Sequence, residues 1–180
     1  MLLKIEKQNS SLAIDYKIEV KDYDHTLALD KRIAVRGVCL KGSEILVVYT
    51  DDFLYGTPGG GVEDDETMEL TLKRELLEEV GAIELTVLDY LGKIEEVRPR
   101  IHSDKIFNPI MHYYLVDITT FGEPQLIEYE KELNLRASFI NINDAIKQNN
   151  DVLSSSDKPY SWFYHFQTEL FKIIKELYNL

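Results

Sequence analysis

The stretch GGVEDDETMELTLKRELLEEVG, residues 60–81, constrains this chain more than any other. From Met68 to Val80 the apolar residues Leu72, Leu76 and Val80 recur at every fourth position, with Met68 and Leu77 flanking them. At about 100° per residue they form one broad apolar arc, the mark of an amphipathic helix. Thr67 is placed to cap its N-terminus, and Asp64, Asp65 and Glu69 favour the positive end of the helix dipole. Gly81 stops the helix, as a glycine just past the last turn commonly does. Glu75, Glu78 and Glu79 then fall within an arc of about 100° on the side away from the leucines. Like charges so close repel, and more strongly if the face is walled in, unless a cation neutralises them. Three oxygen-only ligands on one rigid face suit Mg²⁺ or Mn²⁺.

A solvated acidic face is the commoner meaning of such a cluster, and two neighbouring features argue against it here. Arg74 lies one turn before Glu78, placed to orient a carboxylate through a forked hydrogen bond. Ahead of the helix, Gly56-Thr57-Pro58-Gly59-Gly60-Gly61 forms a loop with little side-chain bulk. Its backbone, at Gly59 and Gly60 above all, can approach a phosphate closely.

Gly60, Glu66, Arg74, Glu75, Glu78, Glu79 and Gly81 fit the spacing G-x5-E-x7-R-E-U-x-E-E-x-G, with Leu76 at the apolar U. This segment, Gly60 to Ala82, resembles the signature box of the Nudix hydrolases. The resemblance implies hydrolysis of a diphosphate linkage with divalent metal. It makes Glu75, Glu78 and Glu79 the metal ligands, Glu66 their support or the link to a second metal through water, and Gly60 a further contact. Arg74 belongs to the catalytic set. Glu78 is one candidate for the general base. Family members also draw a base from a loop outside the box, where Glu128, Glu130 and Glu132 of IEYEKELN are available, Glu130 being the central choice. The box departs from the pattern only at its last position, where Ala82 stands in place of a bulky aliphatic residue, a matter of packing rather than of ligands.

The implied fold is α/β or α+β, a mixed sheet sandwiched between helices. It fits a single domain over residues 1–180, with an N-terminal strand extension over about 1–30 and a C-terminal helix over about 161–178. Length and the extra N-terminal strand suit hydrolases of nucleotide sugars such as ADP-ribose, and Pro99 lies 17 residues past Ala82, near the place of a proline in that group. A nucleoside triphosphate pyrophosphohydrolase, or a non-catalytic ligand-sensing module on the same fold, are the alternatives.

Elsewhere the chain shows no repeat and no linker. Ala13 to Val20 alternates and reads as an early strand, at an edge or pairing with a second copy in a homodimer. Lys31–Leu40 and Ile45–Thr50 are β-rich runs joined by the turn-forming Lys41-Gly42-Ser43-Glu44, a hairpin by turn chemistry. Ile83–Tyr90 alternates, and Gly92–Val97 is expected to pair back onto it. Pro109–Ile118 reads as a strand, Asn143–Asn149 as a short helix, and Ser161–Leu177 as an amphipathic helix with an apolar stripe that belongs to the core.

Arg36 sits inside the apolar run IAVRGVCL, where an unpaired charge is costly, so it pairs with a carboxylate or points at a substrate phosphate. Arg98 and Arg100 flank Pro99 and either grip phosphate or ribose or carry solvated charge. Phe53 and Tyr55 precede the glycine loop, suited to core packing or to stacking on a base. The four histidines have no ligand spacing. The single cysteine, Cys39, suits a buried strand position and a reducing cytoplasm. Net charge is −12, which disfavours nucleic-acid binding, and no run approaches transmembrane or signal-peptide form. A cytoplasmic protein acting on a small phosphorylated substrate, with no membrane partner, is the expectation.

Overall fold

The computed structural model describes residues 3–8, 11–20, 24, 26–99, 104–155 and 161–180. Five strands form a mixed sheet in the order β1 (Leu3–Lys7), β2 (Ile14–Val20), β6 (Ala82–Pro99), β7 (Ile106–Phe121) and β3 (Leu29–Val38). Its β2/β6 and β3/β7 ladders are parallel, and its β1/β2 and β6/β7 ladders antiparallel. A smaller antiparallel sheet joins β4 (Leu40–Lys41), β5 (Glu44–Tyr49) and β8 (Arg136–Asn141). Four helices complete the described residues: α1 (Met68–Val80), α2 (Glu128–Glu132), α3 (Ile142–Ser155) and α4 (Ser161–Tyr178). None of these helices is long and apolar enough to cross a membrane.

β5 is buried on both faces, which is why it reads as an unbroken apolar run. On one side Val35, Leu46 and Val48 pack with Leu72, Leu76 and Val80 of α1. On the other, Ile45, Val47, Ile94 and Met111 pack with Phe166, Leu170, Phe171 and Ile174 of α4. The result is the expected mixed sheet between helices. Cys39 is buried in the α1-side core.

Several strand expectations need correction. The early strand β2 is not an edge: it lies between β1 and β6, and the segment before it supplies the edge. The expected hairpin survives only at its tip, where Leu40 pairs with Ile45 and Lys41 with Glu44. The main run before it, β3, pairs instead with β7, from Leu29↔Ile106 to Val38↔Leu115. Ile83–Tyr90 and Gly92–Val97 do not fold back on each other. They are one strand, β6, with register shifts between Val87 and Asp89 and between Tyr90 and Gly92. A bulge bends a strand without reversing it, and turn chemistry alone does not distinguish the two. α3 is longer than the short helix expected, and α2 and β8 had no clear sequence signal.

Both helices beyond the sheet reach the glycine loop. The Asn149 amide of α3 accepts from Tyr55 N at 2.7 Å and donates to Tyr55 O at 3.0 Å. Gln167 Oε1 of α4 accepts from Thr57 N and Thr57 Oγ1, both at 3.0 Å. Asn149, Gln167 and Thr57 are all fully buried. Losing either amide leaves a backbone N–H without its partner in a site that water does not reach. Asn149→Ala and Gln167→Ala should therefore each lower unfolding free energy by about 1–3 kcal/mol, read by urea denaturation. A change below about 0.5 kcal/mol would mean that the loop is held by its other bonds.

Candidate functional site

The loop over residues 56–62 runs against β3 as an irregular extra strand. Val35 N donates to Gly60 O at 2.9 Å, Gly37 N to Pro58 O at 2.9 Å, and Val62 N to Ile33 O at 3.0 Å. Gly59 has φ +131°, and a Cβ there would stand 2.2 Å from Val35 O, so only glycine fits. Arg36 Nη1 donates to the carbonyls of Thr57 (3.1 Å) and Gly59. Its guanidinium thus holds the loop carbonyls and also pulls electrostatically on Glu75 and Glu79.

Helix α1 begins and ends as its sequence dictates. Thr67 Oγ1 accepts from Leu70 N, and Gly81 adopts the left-handed conformation with φ 70°. Burying Leu72 and Leu76 turns Glu75, Glu78 and Glu79 toward the loop. Gly60 leaves room for the Glu75 carboxylate, which a Cβ would meet at 2.3 Å. Glu79 Oε2 accepts from Gly59 N at 2.7 Å. Gly59 therefore has both its N–H and its carbonyl engaged within the protein, and the Gly60 carbonyl keeps one lone pair beyond its bond to Val35.

Arg74 organises the acidic side chains. Its Nε and Nη2 grip both oxygens of Glu66 at 2.7 and 2.8 Å, while Nη1 donates to Glu75 Oε1 at 2.8 Å and Glu78 Oε2 at 3.2 Å. Thr71 Oγ1 adds a bond to Glu66 at 2.8 Å. Arg74 and Thr71 hold the Glu66 carboxyl down at about 2. Burial pushes Glu79 up to about 7, against the opposing pull of Arg36 and the Gly59 N–H. Burial also raises Glu75, with Arg74 offsetting part of the effect.

Among the described residues no three carboxylate, imidazole or thiolate groups stand as a ready-made ligand set for a metal ion. The donor chemistry nevertheless fits a hard divalent cation. Glu75 Oε2, Glu78 Oε1 and Glu79 Oε1 stay outside the hydrogen bonds among the described residues. Two of the three carboxylates are burdened by burial that a cation would relieve. All three line one cavity of about 410 Å³ with Gly59, Gly60, Arg74 and Glu130.

Of the three downstream acids, Glu130 lines this cavity and Glu128 and Glu132 do not. Its Oε2 also accepts from Ile127 N at 2.9 Å, closing the N-terminus of α2. Arg98 lies within β6. Its guanidinium sits 4.6 Å from the Phe107 ring centroid, with Nε 3.7 Å from Glu96 Oε2. Arg100 lies outside the described residues, as do His25 and His102. His112 Nδ1 is bonded to Tyr90 Oη at 2.8 Å. Phe53 is exposed and stacks on Tyr49, while Tyr55 packs on the α4-side core.

Sequence reasoning missed Arg32, which lies against Gly61, and the fully buried Glu96. Both line a second cavity, of about 320 Å³, with Arg36, Gly60, Gly61 and Arg98. The usable signal was a carboxylate two residues after Ile94, at an inward position of an alternating strand. A shallow hollow of about 580 Å³ beside Lys73, Leu77 and Ile83 lies on another side of α1, away from Glu75 and Glu79.

A family model for the NUDIX domain matches residues 30–163. Solved structures of similar fold include a NUDIX hydrolase from Nitrosomonas europaea, with 13% identity, 78% of this chain and 90% of that chain covered, and a TM-score of 0.51. A UDP-X diphosphatase matches with 17% identity, 83% and 63% covered, and a TM-score of 0.51. An ADP-ribose pyrophosphatase from Streptococcus suis 89-1591 matches with 14% identity, 83% and 92% covered, and a TM-score of 0.50. At these identities the likeness is one of fold. A search of curated proteins finds no match.

The Arg74–Glu66 fork makes a pH prediction. A glutamate held at about 2 when folded, against about 4.3 when unfolded, stabilises the fold above pH 4.3 and loses that contribution as pH falls through 2. Acid unfolding of the wild type should fall more steeply between pH 4.3 and 2 than that of Glu66→Gln. Parallel curves would mean that the fork does not hold this carboxyl ionised.

Proposed function

The chain belongs to the NUDIX family, and from that premise we propose that it hydrolyses a diphosphate linkage in a nucleoside diphosphate-linked compound, a nucleotide sugar such as ADP-ribose in the first place. One observation carries this reading: Glu75, Glu78 and Glu79 face the glycine loop across a single cavity, each with one carboxylate oxygen outside the bonds that fix its position.

Mg²⁺ or Mn²⁺ would be held by Glu75, Glu78 and Glu79, with Glu66 and the Gly60 carbonyl in support. Such an ion offsets charge on the diphosphate and lowers the pKa of the attacking water. The protein's own groups do the rest. Arg74 fixes three carboxylates in one orientation. The loop, fixed by Arg36 and Glu79, presents a backbone surface of low bulk to the phosphates. Arg32 and Arg98 add positive charge beside it. Glu78 is proposed as the general base, with Glu130 at the same cavity as the alternative. All the carboxylates that a sensing module would be expected to lose are retained, which supports a working enzyme.

The reading is tested by incubating nucleotide sugars and nucleoside triphosphates with Mg²⁺ or Mn²⁺ and identifying the products. Release of a mononucleotide and a sugar phosphate is expected. Pyrophosphate release from triphosphates alone would select the other substrate class, and binding without turnover of any compound would overturn the enzymatic reading. In the same assay Glu78→Gln should reduce turnover by at least about 10²–10⁴-fold, and Glu130→Gln should match that loss only if Glu130 is the base. Metal binding to the folded state should raise stability by about 2.7 kcal/mol at a hundredfold excess over Kd. The corresponding rise in melting temperature should shrink in Glu79→Gln, and an equal rise in both proteins would remove the metal from this helix.

A further inference from the structure

Two adjacent glycines of the loop leave space for side chains of opposite charge. Gly60 makes room for the Glu75 carboxylate, and Gly61 for the Arg32 guanidinium. A Cβ built on Gly61 would lie 2.6 Å from Arg32 Cζ, so the guanidinium occupies the place a side chain would take. Gly61 is not in the left-handed region, so its backbone does not call for glycine. The space beside it does. The register of the loop on β3 keeps Arg32 at this seat, because Ala34 bridges Gly61 and Val62 N donates to Ile33 O at 3.0 Å.

The other described arginines are all engaged within the protein. Arg74 serves Glu66, Glu75 and Glu78, Arg36 the loop carbonyls, Arg98 sits beside Glu96 and over Phe107, and Arg136 pairs with Asp51 at 2.7 Å. Arg32 makes no hydrogen bond or ion pair among the described residues, although the register of the Ala34–Gly61 bridge sets Glu63 opposite it. It is exposed, and it stands where the two cavities meet. The first of these holds Glu75, Glu78 and Glu79, and the second holds Arg36 and Arg98. A guanidinium that is seated sterically but left without an anion is placed for an anion from outside, and its planar fork matches phosphate oxygens.

Resting on the reading of the chain as a hydrolase of diphosphate linkages, we infer that Arg32 is a substrate-binding residue. Its guanidinium grips the phosphate that lies away from the α1 carboxylates, and Gly61 is glycine in order to seat it. One phosphate of the linkage reaches the carboxylates and the cation proposed there. The other rests where the cavities meet, over Gly60 and Gly61, whose α-carbons are about 3.8 Å apart. Arg74 cannot serve that second phosphate, because the glutamates of α1 and Glu66 take up its donors. Arg32 therefore supplies the counter-charge that the box itself lacks. A compound with two linked phosphates engages both positions, and a monophosphate only one.

The test is calorimetric binding of methylenediphosphonate with Mg²⁺ present, a base-free diphosphate whose bridging CH₂ prevents hydrolysis. Arg32→Met should weaken binding about 10–100-fold, as the loss of charge-assisted hydrogen bonds does. Arg32→Lys should recover only part of it, because a point charge lacks the fork. Gly61→Ala should weaken binding to a similar extent by displacing the guanidinium. The double variant should bind no more weakly than Arg32→Met, since both changes remove one contact. Undiminished binding by Arg32→Met, additive losses in the double variant, or no binding by the wild type would overturn the inference. Mn²⁺ affinity without the probe, read by electron paramagnetic resonance, should hold in both single variants, and its loss in either would place that residue with the carboxylates and overturn its assignment here. The Arg32→Met comparison stands even if Gly61→Ala fails to fold. Hydrolysis of nucleotide sugars with binding indifferent to Arg32 would sink this inference alone, and Arg32-dependent binding without hydrolysis would sink only the proposed reaction.

Discussion

The site depends on one constraint above all, the immobilisation of the backbone over residues 55–62. Groups from every layer of the fold converge on these residues. β3 gives them a partial ladder through Val35 and Gly37, α3 contributes Asn149, α4 contributes Gln167, and α1 contributes Glu79. Arg36 binds two of the carbonyls from below. A glycine-rich segment would otherwise be the most mobile part of such a chain, because glycine loses the most conformational freedom on ordering. Here backbone groups of Gly56, Thr57, Pro58, Gly59, Gly60 and Val62 are all bonded within the protein, so small residues give close approach without giving motion.

That immobilised backbone also makes the acidic helix face tolerable. Glu75, Glu78 and Glu79 lie within one turn, partly walled in, where mutual repulsion is poorly screened. Two guanidiniums answer it from opposite sides. Arg74 serves Glu66, Glu75 and Glu78 directly, while Arg36 lies close enough to pull on Glu75, Glu79 and Glu96 without bonding to them. Compensation is complete for Glu66, which is held far below its ordinary value, and incomplete for Glu75 and Glu79, which are raised. The residual deficit of positive charge sits where the proposed metal would bind.

What the sequence revealed follows the range of the interactions concerned. Helix α1 matched its expected bounds, Met68–Val80, because its apolar spacing, Thr67 cap and Gly81 stop are all local signals. The acidic triad and Arg74 were legible for the same reason. Strand partners were not. Turn chemistry at Gly42-Ser43 announced a hairpin but could not tell that only the short β4 pairs across it with β5 and that β3 pairs with β7. Arg36 was recognised as anomalous in an apolar run, yet its partners, the carbonyls of Thr57 and Gly59, carry no side-chain signature. Asn149 and Gln167 lie 94 and 110 residues from the groups they hold, so no local pattern could have linked them.

The least legible feature of all is what gives the second cavity its composition. Along β6 the register shifts, and Tyr90↔Tyr114 is followed by Gly92↔Tyr113. One extra residue in a strand moves every later side chain to the opposite face. Past that bulge Ile94 lies opposite Met111 and Arg98 opposite Phe107. Glu96 therefore shares a face with both pairs. The Arg98–Phe107 stack is a direct cross-strand pair, the usual unit of sheet stabilisation, here turned toward a cavity. Without the bulge, Glu96 and Arg98 would point toward the α1 side, and Glu95 and Val97 would face the cavity in their place. The residues that build the acidic face are written in one contiguous motif, whereas those of the neighbouring cavity are selected by a single-residue irregularity far from it in sequence. Substitutions that restore an even register near Gly92 would thus exchange the cavity's charged wall while leaving the acidic helix untouched.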